Sequence, residues 1–121
     1  MLGYFDHNQI FVDLEISGSF PESKKVVKAQ IDTGYDGELT LPFSLAFPLG
    51  LILTGANTYT IADGSSMTNF SCIGKIKIAG KQESVFVDII PNGSVLIGLP
   101  LLEKLGNNFQ VNFSKREIKF T

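Results

Sequence analysis

Cysteine is almost missing from this 121-residue chain, where Cys72 stands alone. One cysteine allows no internal disulfide and no cysteine cluster for zinc. Cys72 reads as a small packed residue between Ser71 and Ile73. Histidine is equally scarce, His7 being the only one. A nucleophilic triad of Ser or Cys with His is therefore poorly supported, and His7 is given no catalytic role. No excess of positive charge exists: Lys and Arg total 10 against 12 Asp and Glu, for a net charge of -2, and no basic block occurs. That argues against nucleic acid, whose phosphates demand clustered Lys and Arg, and against a polybasic contact with a membrane surface. No apolar run approaches the roughly 18 residues that span a bilayer. The stretch Met1-Leu2-Gly3-Tyr4-Phe5-Asp6-His7 lacks a basic region ahead of an apolar one. No secretion signal is expected from it, and a cytoplasmic location follows as an expectation. No G-x-x-x-x-G-K-[ST] loop is present to cradle a nucleotide phosphate, and no cofactor or metal is expected.

What remains is an ordinary globular composition: hydrophobic residues make up 44% and charged residues 18%, enough to bury one core. No linker, repeat or low-complexity tract divides residues 1–121, so they read as one domain. Short alternating segments dominate. Ile10, Val12, Leu14 and Ile16 are spaced by two, as in a strand with one buried face. Val27, Ala29 and Ile31 alternate likewise, and residues 17–23, rich in Ser, Gly and Pro, join the two strands. Further strands are expected at 59–62, 67–78, 84–89 and 95–97, and Phe109 to Phe120 reads as a terminal hairpin. Pro42 to Phe47 suits one or two helical turns, halted at Pro48. Pro100 to Leu105 suits a short helix, with Leu101, Leu102 and Leu105 sharing a face and Gly106 as the stop. The fold class is mostly β, with one short C-terminal helix.

The chemistry lies in Ala29-Gln30-Ile31-Asp32-Thr33-Gly34, an apolar strand running into Asp-Thr-Gly. A lone carboxylate, with an ordinary pKa near 4, is a weak base at neutral pH. Two carboxylates brought face to face share one proton. One then activates a water while the other protonates the substrate carbonyl. Such close approach needs a residue without a side chain, which Gly34 supplies, and the Thr33 hydroxyl can bond across the pair. Taken by itself the tripeptide also fits an ordinary Asp-x-Gly turn. Two downstream features bear on the choice. Val95-Leu96-Ile97-Gly98 is an apolar strand leading directly into the Pro100 helix. Between the two motifs, residues 59–65 read as strand and tip, with Asp63-Gly64 signalling a hairpin that spans Thr58 to Phe70. Asp36 and Glu38 read as a solvated turn.

In this order, Asp32-Thr33-Gly34-Tyr35-Asp36-Gly37-Glu38-Leu39 and Leu96-Ile97-Gly98-Leu99-Pro100-Leu101-Leu102 resemble the retropepsin-like aspartic proteases, most of all their small prokaryotic members. The resemblance spans nearly the whole chain. It implies a closed β-barrel of the retroviral protease type and an aspartic endopeptidase. Asp32 would be the catalytic carboxylate, Thr33 the clamp between loops and Gly34 the close-approach glycine. Ala62, Asp63, Gly64 and Ser65 would form a flap over an extended peptide substrate. Gly98 would occupy a strand-to-helix corner behind the Asp loop. With one Asp-Thr-Gly per chain, the dyad implies a homodimer, and the terminal hairpin is its expected interface. Tyr35 departs from the Ala or Ser usual after Asp-Thr-Gly, bringing bulk and a hydroxyl to a position expected to touch substrate. Two other readings stay open on the residues alone. One is a peptide- or partner-binding module on the same fold that does not cut. The other is a structural β-barrel with an accidental Asp-Thr-Gly.

Overall fold

A computed structural model describes residues 2–19, 23–60, 62–106 and 108–120. Ten strands follow the alternation of the sequence: β1 (Leu2–Asp6), β2 (Gln9–Ser17), β3 (Lys25–Ile31), β4 (Leu39–Pro42), β5 (Ile52–Thr60), β6 (Ser66–Ile78), β7 (Lys81–Ile90), β8 (Val95–Ile97), β9 (Phe109–Asn112) and β10 (Glu117–Phe120). They run in the order β5-β6-β7-β4-β8-β3-β2-β1-β10-β9, and β6 also pairs with β2. That extra pairing, with Ile16 opposite Ile76, closes β2, β6, β7, β4, β8 and β3 into a six-stranded barrel. Closure removes the edges that those strands would otherwise expose. The predicted closed barrel is the observed one.

The period-2 pattern sets what lies inside. Val12, Leu14 and Ile16 of β2 are buried, as are Val85, Val87 and Ile89 of β7 and Val95 and Ile97 of β8. One helix, α2 (Leu99–Leu105), buries Leu101, Leu102 and Leu105 against this core. Gly98 is its N-cap, and Gly106 ends it in extended backbone rather than the left-handed form. A shorter helix, α1 (Phe43–Ala46), continues through a 3₁₀ turn at Phe47–Leu49. The expected halt at Pro48 therefore falls two residues early. Pro48 takes an early position in the new turn, where its missing N–H costs nothing, and Gly50 at φ 65° makes the stop.

Two strands lie outside the expected set and a third is longer than expected. Residues 2–6 form a strand because β1 pairs with β2 on one side and β10 on the other. His7 accordingly stands in the tight β1–β2 turn, at φ 56° and against Asp6. The strand expected from Tyr59 begins seven residues earlier, at Ile52. Its β5 residues are exposed wherever their side chains are described, so no alternation of burial marked it. Strand β4 is the second strand outside the expected set. Its four residues are buried on both faces, so the run Leu39-Thr40-Leu41-Pro42 carries no period-2 signal. Among the described residues Thr40 is the one buried polar side chain of the core, and its hydroxyl bonds backbone groups at the start of β8. Its hydroxyl donates to the Ser94 carbonyl at 3.0 Å and accepts from the Leu96 N–H at 2.9 Å.

Candidate active site

The Asp loop is the segment between β3 and β4. Strand β3 pairs in parallel with β8 up to Ile31 opposite Ile97. The Asp32 N–H extends this ladder, donating to the Ile97 carbonyl at 2.9 Å. The chain then turns: Tyr35 N–H donates to the Asp32 carbonyl at 3.1 Å, and Gly34 N–H donates to Asp32 Oδ1 at 3.0 Å. The carboxylate is thus oriented by the backbone of its own turn. Asp32 is half-buried, while Thr33 and Gly34 are exposed, so the outer face of the turn is open. A Cβ at Gly34 would stand 3.3 Å from Asp32 Oδ1.

At the Asp loop the closest backbone-to-backbone approach within one chain is at Gly98. A Cβ there would fall 1.9 Å from the Gly37 carbonyl oxygen and 2.7 Å from that of Tyr35. The Gly98 N–H donates to the Glu38 carbonyl at 3.0 Å. The strand-to-helix corner therefore packs directly behind the Asp loop, as expected of it.

Tyr35 is half-buried, and its hydroxyl donates to Asp88 Oδ2 on β7 and weakly, at 3.4 Å, to the Leu39 carbonyl. Burial first, and then the Asp88 carboxylate, push its phenol well above the ordinary range, so it is a neutral donor at any working pH. Glu38 is not part of a solvated turn. Its Oε1 accepts the Phe86 N–H at 2.8 Å, and its Oε2 pairs with Lys104 Nζ of α2 at 2.6 Å. Asp36 is exposed, as expected.

Asp88, Glu38 and Lys104 thus support the loop, and sequence reasoning overlooked them in that role. Asp88 had a visible signal, being the one charge in Val85-Phe86-Val87-Asp88-Ile89-Ile90. The partnerships of Glu38 and Lys104 had none, since they join positions far apart in the chain.

The expected hairpin is present. Strands β5 and β6 pair from Ile52↔Ile73 to Thr60↔Ser66, with one irregularity between Leu53 and Gly55. It is longer than the Thr58 to Phe70 reading. At its tip Ala62, Asp63, Gly64 and Ser65 are all exposed, and Gly64 has φ 88°, which favours glycine. Asp63 Oδ1 accepts both the Ser65 N–H at 2.9 Å and the Ser65 hydroxyl at 2.6 Å. These bonds hold its carboxyl below the usual range. Asp32 and the tip residues thus lie on separate elements, the former on the barrel turn and the latter on the arm. Among the described residues no group of three or more His, Cys, Asp or Glu is arranged to hold a metal. No helix among them is long and apolar enough to cross a membrane.

A six-stranded barrel with an Asp-Thr-Gly turn hung from β8, a Gly corner behind it and a long hairpin arm defines the retropepsin-like fold. Solved structures agree. The EIAV protease in complex with the inhibitor HBY-793 superimposes with a TM-score of 0.64 at 16% identity, over 89% of this chain and 98% of that one. The solution structure of the simian foamy virus (mac) protease gives 0.60 at 16% identity, over 78% and 93%. No protein-family model and no curated protein matches the sequence.

Proposed function

We propose that this chain is one half of an aspartic endopeptidase, in which two copies meet so that their Asp32 carboxylates share a proton and activate water. The observation that carries the proposal is the Asp32 turn itself. A single carboxylate, oriented by the Gly34 N–H at 3.0 Å, sits on an open face of a retropepsin-like barrel. One carboxylate held this way is an incomplete machine, and a two-fold axis supplies the second. Exposed Gly34 then allows the two turns to meet, with Thr33 bonding across them. The β5–β6 arm, with Ala62, Asp63, Gly64 and Ser65 at its tip, covers an extended peptide and adds strand-like hydrogen bonds to it. The terminal hairpin is the interface element: β9 is an outer strand of the sheet, and Phe113 at the hairpin turn is 76% exposed. Tyr35 adjoins the substrate from beneath, through a ring whose hydroxyl is already engaged at Asp88.

The test is Asp32→Asn. The amide is nearly isosteric, so the fold persists and the repulsion between two carboxylates disappears. It cannot take a proton from water, so base catalysis, worth about 10²–10⁴ in rate, is lost. Cleavage of a broad peptide library by the wild type, abolished by Asp32→Asn, is the expected outcome. Activity falls as pH rises and the shared proton leaves. An Asp32→Asn protein that cuts as well as wild type would overturn the proposal. So would a purified wild-type protein that cuts no peptide from acid to neutral pH, which instead favours a non-catalytic peptide-binding module.

A further inference from the structure

Tyr35 and Asp88 are 53 residues apart in sequence, and the barrel brings them into direct hydrogen bond. The space for this contact is built in. A Cβ at Gly37 would lie 2.2 Å from the Tyr35 hydroxyl and 2.8 Å from Asp88 Oδ2. A Cβ at Gly98 would lie 2.9 Å from Tyr35 Cδ2. Two glycines therefore make room for this one ring. Asp88 lies in β7 between buried Val87 and Ile89, so alternation turns it away from the barrel core and toward the loop. It also accepts the Ser71 hydroxyl at 3.4 Å, from its register partner on β6. Strand β6 is the return strand of the hairpin arm.

On the other side, Tyr35 is part of the turn that orients Asp32. Its N–H holds the Asp32 carbonyl, and the neighbouring Gly34 N–H holds the carboxylate. A displacement of the Tyr35 backbone would move its own N–H and strain the adjoining Gly34 peptide, whose N–H holds the carboxylate. Thr33 and Gly34 are exposed and give the turn little packing of their own. Glu38 fixes the far end of the loop, through the Phe86 N–H, Lys104 and the Gly98 N–H, and leaves the Asp32 end to Tyr35.

We propose that Tyr35 and Asp88 are a positioning pair: the phenol, anchored on β7, fixes the turn whose Gly34 N–H aims the Asp32 carboxylate. Neither residue touches the reacting atoms in this role. The kinetic consequence rests on the peptidase reading, but the geometric one does not, and the two are measured separately. Tyr35→Phe removes only the hydroxyl. Asp88→Leu removes the acceptor and leaves every residue of the loop itself unchanged. Asp88→Asn keeps an acceptor oxygen and serves as the conservative rescue.

The geometric readout is the Gly34 amide, followed by its NMR shift and its hydrogen exchange. Tyr35→Phe and Asp88→Leu are expected to move the resonance and speed exchange about ten-fold, while Asp88→Asn stays close to wild type. The kinetic readout is peptide cleavage. The same two variants lower kcat about ten-fold with KM nearly unchanged, a fraction of the roughly 10²-fold that a 1 Å misplacement causes. A wild type that cleaves nothing would sink the peptidase reading and leave the Gly34 amide to decide the pair. An unchanged Gly34 amide in Tyr35→Phe would overturn the pair whatever the kinetics show. Should Tyr35→Phe fail to fold, an unchanged amide in Asp88→Leu overturns the pair in the same way.

Discussion

Replacing Gly98 by alanine tests the packing behind the Asp loop. The backbone there is extended, at φ -91° and ψ 171°, which alanine adopts freely. Any cost is therefore steric. The new methyl would stand 1.9 Å from the Gly37 carbonyl oxygen, 2.7 Å from the Tyr35 carbonyl oxygen and 2.9 Å from the Tyr35 ring. An ordinary C···O contact is about 3.3 Å or more, so backbone must move against backbone by about 1.4 Å. No rotamer change relieves a clash with carbonyls. Overpacking of this kind costs typically 1–3 kcal/mol, and this site belongs at the upper end. For a domain of this length each kcal/mol lowers Tm by about 3–6 °C, so Gly98→Ala should melt roughly 10–15 °C below wild type. Circular dichroism against temperature measures this directly. Gly55→Ala is the internal control, since a Cβ there meets nothing within 4 Å. It should melt within about 2 °C of wild type. Gly98→Ala melting as high as Gly55→Ala would refute the reasoning.

Two further predictions follow from the same geometry. Thr40→Val keeps the shape but strands the Ser94 carbonyl and the Leu96 N–H that the hydroxyl serves, and it should cost about 1–3 kcal/mol in urea unfolding with an unchanged slope. The Asp63 carboxyl is held below its usual range first by the Ser65 hydroxyl and then by the Ser65 N–H. A lowered folded-state pKa means that this turn is fully stabilised above about pH 4 and loosens as pH falls through the folded value, so NMR titration should show the Ser65 amide losing its bond only in acid.

Much of this architecture is written in local pattern. The alternations in β2 and β3 and the Asp63-Gly64 tip are signals carried by neighbouring residues, and the structure keeps them. The Asp32-Thr33-Gly34 turn and the Gly98 corner were likewise visible as short motifs. What escaped notice depends on partners far away in sequence. Strand β4 is buried on both faces because β7 and β8 flank it, and nothing within four residues announces that. Strand β1 exists because β2 and β10 receive it. Strand β5 is an exposed arm held by its ladder to β6, so burial leaves no periodic mark on it. Glu38 looked like a solvated turn because its Lys104 and Phe86 partners come from α2 and β7. Tyr35 announced itself as unusual, but only the folded chain shows its hydroxyl directed at Asp88.

The central claim is a dyad shared between two chains, and a mixing experiment tests it most directly. Asp32→Asn protein is added to wild type at fixed total concentration, with time for subunits to exchange, and cleavage of a peptide found in the library screen is followed. If each active site needs two Asp32 carboxylates, mixed dimers are dead and activity falls as the square of the wild-type fraction, to about one quarter at equal parts. A fall in simple proportion, to about one half at equal parts, would contradict the account, because each chain would then be cutting alone.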